Sequence, residues 1–216
     1  TYVASTPGVA SGVALIAVDS AGNNMIVVAP GANSRLGPDD VRRAQREIAS
    51  AGAVVAQLEV PVETIECAAR MAGDAGVPFI LDPAPAQKLR PELLKQVTVL
   101  TPNETEAQIL TGMEVSDEAS ASLAAEWLLS SGVGAVIVTM GAKGFLLADG
   151  TTSEFVPAAP VRAVVPDRTW APMAAIAGGA SFLLLLFATQ NRVPFGSVLL
   201  AAGAVVIGVV RGAQTM

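Results

Sequence analysis

The 216-residue sequence contains no histidine, and this absence excludes a large part of enzyme chemistry. Without an imidazole the chain cannot form a Ser-His-Asp or Cys-His nucleophile system, an HExxH zinc site or a histidine general base. The single cysteine, Cys67, has no second cysteine with which to form an internal disulfide. It lies in an apolar helical pattern, which predicts a packed, reduced side chain in a reducing compartment.

Positive charge is also scarce. Thirteen Lys and Arg residues against nineteen Asp and Glu residues give a net charge of −6. A protein that binds nucleic acid needs a basic face, so no nucleic-acid partner is expected. The first residues, TYVASTPGVASG, lack the basic start and the sustained apolar run of a secretory signal. We therefore expect a cytoplasmic location.

Between residues 12 and 150 the sequence alternates strand-like and helix-like segments. GVALIAV and NMIVVAP, separated by DSAGN, predict a β-hairpin, and GFLLADG with TSEFVP predicts a second one. Between them, apolar β-branched runs alternate with helical patterns, including one helix over DVRRAQREIASA. This alternation predicts an α/β fold with a mostly parallel sheet flanked by helices.

Polar and glycine residues collect where the predicted parallel strands end, in QLE, LDPAPA, LTPNETE and VTMGAKG. Ligands of such sheets bind beyond the carboxyl ends of the strands. Glu59 could accept hydrogen bonds from sugar hydroxyls, or it could be a solvated residue at a strand end. The DPAPA segment is interpreted as a rigid connector, because Pro83 and Pro85 fix the backbone and disfavour helix.

Two of these strand ends allow both a structural and a functional interpretation. Asn103 and Glu106 stand at the start of a helix, where acids and asparagine stabilise the exposed N–H groups with no further function. The TMGAKG loop at residues 139–144 offers backbone N–H groups and two glycines, which suit an anion-binding nest. A glycine-rich turn between two strands has the same sequence. It is not a Walker loop, since GKS and GKT are absent.

The last fifty residues have a different character. Residues 171–190 and 193–210 contain no charged side chain, and Arg168, Arg192 and Arg211 flank these stretches. Each run is long enough to cross a bilayer as a helix, so the pair predicts either a membrane hairpin or two very apolar helices packed on the preceding domain. A frameshift or a fusion would also produce such a change.

Taken in order, SGVALIAVD, NNMIVVAPGAN, QLEVP, DPAPA, LTPNETEAQILTG and VIVTMGAKG resemble the ribokinase-like sugar kinases (the PfkB family) over about residues 11–164. The resemblance implies a truncated ribokinase-like α/β domain over residues 1–164, followed by a divergent apolar segment of two helices over 165–216. It implies ATP-dependent phosphorylation of a pentose, D-ribose by nearest resemblance, with Mg²⁺ and a monovalent cation such as K⁺. It also implies a homodimer.

The same resemblance assigns roles to particular residues. It places the metal at Glu106 and the sugar at Glu59. It assigns nucleotide binding to seven residues, namely Asn103, Thr139, Met140, Gly141, Ala142, Lys143 and Gly144.

The sequence also departs from the family pattern. The family's N-terminal portion, with a sugar-binding Gly-Gly segment and an Asp on the first strand, has no counterpart. The DTxGAGD motif, whose last Asp is the catalytic base, is replaced by VPDRTWAPM, which puts Ala171 or Met173 at the base position. Neither side chain can accept a proton. The last residues, RGAQTM, again resemble the family's C-terminal loop.

Three interpretations follow from the sequence. The first is a carbohydrate kinase with impaired turnover, because the catalytic base, the glycine turn that binds the transferred phosphate and most of the sugar site are lacking. The second is a non-catalytic nucleotide-binding or interaction module. The third is a membrane-associated kinase remnant anchored through residues 171–210.

Overall fold

The structure, a computed structural model, describes residues 3–18 and 24–159 together with the backbone at 208–209. A seven-stranded sheet has the order β8-β7-β6-β5-β4-β3-β9. Four neighbouring strands of it are parallel to one another: β3 (Val54–Gln57), β4 (Phe79–Asp82), β5 (Val99–Leu100) and β6 (Ala135–Thr139). Three antiparallel strands complete it: β7 (Gly144–Asp149), β8 (Ser153–Pro157) and β9 (Gly208–Val209).

Within the described residues, six helices connect or flank these strands. They are α1 (Pro38–Arg43), α2 (Gln45–Ala49), α3 (Val62–Asp74), α4 (Pro91–Leu94), α5 (Glu104–Thr111) and α6 (Glu118–Ser130). Short 3₁₀ turns occupy Gly31–Arg35 and Gly141–Lys143. The predicted α/β fold with a mostly parallel sheet is confirmed. The single helix expected over DVRRAQREIASA is divided into α1 and α2 at Ala44.

The core lies between the sheet and its helices. Val136, Ile137 and Val138 of β6 are all buried. Successive strand residues point to opposite faces, so this strand is covered on both sides. Helices α3 and α6 present mainly small residues to the core, which allows their backbones to approach the sheet closely: Ala68, Ala69 and Ala72 on α3, and Ala121, Ala124 and Ala125 on α6. Cys67 is also buried, as expected for a packed small side chain.

The first two strands form a separate antiparallel hairpin, β1 (Val13–Val18) with β2 (Asn24–Ala29). This hairpin was predicted from the sequence. Leu15 pairs with Val27, and Ile16 pairs with Ile26 on the opposite face. All four side chains are at least half exposed. The hairpin therefore presents apolar residues on both faces, which is unusual for a two-stranded sheet in water.

The two apolar helices predicted within 165–216 lie outside the described residues. Only the backbone at 208–209 is described there, and it forms the short edge strand β9 beside β3. Within residues 3–18 and 24–159, none of the helices combines the length and the hydropathy that a membrane span requires.

Candidate functional site

The carboxyl ends of the four parallel strands meet at one edge of the sheet. The register pairs Gln57 with Asp82, and an isolated parallel bridge pairs Asn103 with Thr139. The N–H of Thr139 donates to the carbonyl of Pro102 over 2.9 Å. The strand-end segments singled out in the sequence are therefore neighbours in space, as expected for a ligand site of a parallel sheet.

Asn103 and Glu106 form a reciprocal capping box at the start of α5. Oδ1 of Asn103 accepts from the N–H of Glu106 over 2.9 Å, and Oε2 of Glu106 accepts from the N–H of Asn103 over 2.8 Å. The helix ends at Gly112, which adopts the left-handed conformation with φ of 77°. This arrangement satisfies exposed helix donors and holds both side chains in fixed positions at the sheet edge. The structural interpretation of the pair is thus correct, and it leaves room for a second role.

The carboxylate of Asp82 is influenced by the charges of two other acids in this region, Glu106 and Glu59. Burial raises the pKa of Asp82 to about 6, with further upward contributions from the negative charges of Glu106 and Glu59 and an opposing hydrogen bond from the N–H of Ala84. Burial also raises the pKa of Glu106, against hydrogen bonds from Asn103 that lower it. Like charges that are partly removed from water produce a strongly negative potential at this edge. Such a potential favours a bound cation.

These acids do not form a preassembled cage for a metal. In the part of the chain that the structure describes, no three Asp, Glu or Cys side chains lie close enough together to ligate one ion. Mg²⁺ is usually held by one or two carboxylates, with water and substrate phosphates as its remaining ligands. The donor set around Glu106 therefore fits Mg²⁺ that arrives with a nucleotide.

Asp82 is the site residue that the sequence reasoning missed. The DPAPA segment was interpreted as a connector that only shapes a wall. The connector role is visible, since the N–H of Leu58 donates to the carbonyl of Ala84 over 2.9 Å. However, the carboxylate of Asp82 interacts electrostatically with Glu59 and Glu106. The position of Asp82 at the end of a parallel strand is the same signal that singled out Glu59 and Asn103.

The loop at residues 139–144 is a tight 3₁₀ turn between β6 and β7. Its shape is fixed by hydrogen bonds from the N–H of Met140 to the carbonyl of Gly144 and from the N–H of Lys143 to the carbonyl of Met140. Gly141 and Gly144 have φ of 53° and 127°, which side chains disfavour, and a Cβ on Gly144 would collide with the carbonyl of Val156. Glycine is therefore required at position 144 and is favoured at position 141, where a Cβ would have open space but a strained backbone.

The donors that this loop offers to a ligand come from its first turn. Gly141 and Ala142 are exposed. Because they open the 3₁₀ turn, their N–H groups have no acceptor within it. Met140 is only 2% exposed, so its side chain belongs to the core and supports the loop. The loop thus presents two backbone donors to solvent at the sheet edge.

Lys143 extends from this loop toward α5. Its Nζ donates to the carbonyl of Ser116 over 2.7 Å and lies 3.6 Å from Oε1 of Glu104. Lys143, which was predicted to bind the nucleotide, thus contacts Ser116 and Glu104 of the protein itself. The positions Ala171 and Met173, expected for the missing base, and the RGAQTM segment lie outside the described residues.

Comparison with known proteins gives the same family as the resemblance of the sequence motifs does. The family model of the pfkB family carbohydrate kinases matches residues 1–166. The ribokinase of Haemophilus influenzae is 37% identical over 215 residues, covering 100% of this chain and 68% of the relative. The ribokinase of Staphylococcus aureus is 40% identical over 164 residues, covering 76% of this chain and 54% of the relative.

A solved structure shows the same fold. The ribokinase of Arabidopsis thaliana complexed with ribose and ATP superposes with a TM-score of 0.64 at 31% identity, covering 79% of this chain and 57% of that one. The chain therefore spans between about half and two thirds of the length of these three relatives.

Proposed function

Because this chain belongs to the pfkB family of carbohydrate kinases, we propose that it is a ribokinase-type enzyme whose nucleotide and metal region is retained and whose turnover is impaired. The observation that supports this proposal most is the convergence of Asn103, Glu106 and the loop at 139–144 on one sheet edge. The proposed reaction is transfer of the terminal phosphoryl group of ATP to a hydroxyl of a pentose, with D-ribose as the acceptor.

The residues of this chain would act mainly by positioning. Phosphoryl transfer depends on placing the reactants and stabilising charge on the phosphates. In the proposal, the N–H groups of Gly141 and Ala142 donate to phosphate oxygens, while Glu106 and Asn103 orient the metal and phosphate region. Glu59 accepts hydrogen bonds from sugar hydroxyls. Bound Mg²⁺ would neutralise charge on the phosphates.

The proposed impairment follows from the sequence after Val164. The catalytic Asp of the family pattern is replaced by Ala171 or Met173, and neither side chain can deprotonate a hydroxyl. This same observation favours a second candidate function, a module that binds nucleotide without turning it over. The two differ only in whether any pentose phosphate and ADP form.

The experiment is calorimetric titration of the 216-residue chain with Mg·ATP, followed by a turnover assay with ribose. We expect binding, with turnover several orders of magnitude below the roughly 1–100 per second of ordinary kinases. Gly141→Val should weaken ATP binding by about tenfold or more, because a valine is strained at φ of 53° and shifts the backbone donors.

Gly76→Val is the matched control. Gly76 has φ of 68° and open space around it, as Gly141 does, but it precedes β4 and so lies at the opposite edge of the sheet. Both variants should lose similar stability, and only Gly141→Val should lose ATP. Heats indistinguishable from buffer in the unaltered chain would refute retained nucleotide binding. Ordinary turnover would refute the impairment.

A further inference from the structure

The side chain of Lys143 joins the two halves of the candidate site. It starts in the loop at 139–144 and reaches Glu104, the first residue of α5, and the carbonyl of Ser116 in the connection from α5 to α6. We propose that Lys143 is a positioning residue that clamps the phosphate-binding loop to α5, and that it does not itself bind phosphate. This inference rests on the proposed function, since it concerns how the same site holds a nucleoside diphosphate or triphosphate.

The loop is held to the α5 region at two points among the described residues. At its first residue, the N–H of Thr139 donates to the carbonyl of Pro102, beside the bridge to Asn103. At its fifth residue, the ammonium group of Lys143 provides the second attachment. Between these two points lie the exposed N–H groups of Gly141 and Ala142. Two attachments fix both the position and the orientation of these donors relative to Asn103, whereas one would allow the loop to pivot.

The charge of Lys143 is already engaged on the protein. The carbonyl of Ser116 accepts its hydrogen bond, and the carboxylate of Glu104 lies within ion-pair distance. The pKa of Asp117 is lowered mainly by hydrogen bonds from Ser120, with a smaller contribution from Lys143. Lys143 therefore stands among acceptors supplied by α5 and by the connection to α6. A phosphate would have to compete with all of them for the ammonium group.

The remaining bonds of the loop do not replace this attachment. The hydrogen bond from the N–H of Met140 to the carbonyl of Gly144 lies within the turn. The N–H of Ala158 donates to the carbonyl of Lys143 and so connects the turn to the residue that follows strand β8. Neither bond reaches α5. Loss of the lysine side chain should thus leave the turn formed while lowering the fraction of molecules in which it faces α5 correctly. Apparent ligand affinity falls in proportion to that fraction.

Four variants of the full 216-residue chain test the clamp: Lys143→Met, Glu104→Gln, their combination, and Lys143→Arg. The dissociation constants for Mg·ADP and for adenosine would be measured by calorimetry. We expect Lys143→Met to weaken ADP binding by about three- to tenfold and adenosine binding much less, because the loop donors serve the phosphates. Lys143→Arg should restore most of the ADP affinity.

Glu104→Gln separates a clamp from a direct phosphate ligand. If Lys143 is a clamp, Glu104→Gln weakens ADP binding by about twofold. It adds nothing further in the double variant, since Lys143→Met already removes the contact with Glu104. If Lys143 binds phosphate directly, Glu104→Gln frees the ammonium group. ADP affinity then stays the same or rises, and the effects add, which would overturn the proposal. Equal losses of ADP and adenosine affinity would also overturn it.

A second measurement needs no nucleotide. Amide hydrogen exchange at residues 140–143 should be faster in unliganded Lys143→Met than in the unaltered chain, with exchange of the β6 core amides unchanged. Unchanged exchange in the loop would refute the clamp. This readout also keeps the two proposals distinct, because a chain that binds no ADP refutes the proposed function while the exchange rates still decide whether Lys143 positions the loop.

Discussion

At the scale of single residues, Asp82 shows how function and stability compete at this site. Its carboxylate is partly buried and faces the charges of Glu106 and Glu59, so its pKa is higher in the folded chain than in the unfolded chain. An ionised Asp82 at neutral pH therefore costs folding free energy. Such a cost is expected where carboxylates are held together to attract a cation. The opposite case is Asp149, whose pKa is lowered to about 2, first by hydrogen bonds from Thr151 and then by those from Thr152.

Asp82→Asn should stabilise the folded chain at neutral pH. Because the folded pKa is raised from 3.8 to about 6, the penalty is absent below pH 4, grows between pH 4 and 6, and is complete above pH 6. After allowance for solvent screening, we expect about 1–2 kcal/mol at pH 7 and almost no difference at pH 4. Denaturant unfolding at the two pH values measures it.

Asp149→Asn is the matched control, since its sign should be opposite. The folded pKa of Asp149 lies below 3.8, so this carboxylate stabilises the fold above pH 4, and its contribution is lost as the pH falls toward 2. The Asn variant should therefore be destabilised at pH 7. A loss of stability at pH 7 in Asp82→Asn would contradict the claim that ionised Asp82 lowers the free energy of unfolding.

At the scale of elements, helix α5 combines a structural cap with a candidate binding role at the same residue. The side chain of Asn103 accepts a hydrogen bond from the N–H of Glu106 at the start of the helix, and its bridge to Thr139 places it beside the loop at residues 139–144. A capping contribution is typically about 1 kcal/mol. A carboxylate at position 103 would add to the negative charge of Glu106 and repel a phosphate bound beside it.

Asn103→Asp separates the two roles. Aspartate caps a helix as well as asparagine does, so the free energy of unfolding should change by less than about 0.5 kcal/mol. The added negative charge should weaken Mg·ATP binding by about tenfold, as judged by calorimetry. Asn103→Ala, by comparison, should lose about 1 kcal/mol of stability. If Asn103→Asp binds ATP as well as the unaltered chain does, Asn103 is only a cap.

The elements also show what the sequence could and could not predict. Strands such as β6 are continuous apolar runs buried on both faces, so their identity and their succession along the chain followed from the residues, whereas their order in the sheet did not. The break at Ala44 between α1 and α2 has no glycine or proline to mark it. The contact of Lys143 with Ser116 joins residues 27 positions apart, and it depends on how α6 turns back after α5. Local patterns do not encode that geometry.

At the scale of the whole molecule, the apolar C-terminal segment allows two arrangements. It either packs on the α/β domain or anchors that domain in a membrane. Its two uncharged runs, 171–190 and 193–210, permit a membrane hairpin on length alone. Against this, the alignment with the Haemophilus influenzae ribokinase covers 100% of this chain, so it extends through both runs. The RGAQTM ending also resembles the family pattern. We therefore propose that both runs pack on or beside the sheet, as the pairing of Gly208–Val209 with β3 also favours.

If the apolar runs pack on the sheet, the 216-residue chain should not behave as an integral membrane protein. After expression and alkaline carbonate washing, it should leave the membrane fraction, because packing against the sheet hides the apolar runs from lipid. Flotation in a density gradient provides the control, since aggregated protein sediments whereas membrane-inserted protein floats with lipid. If the washed chain floats, while a chain that ends at Val164 does not, the two runs form an anchor and the packed arrangement is refuted.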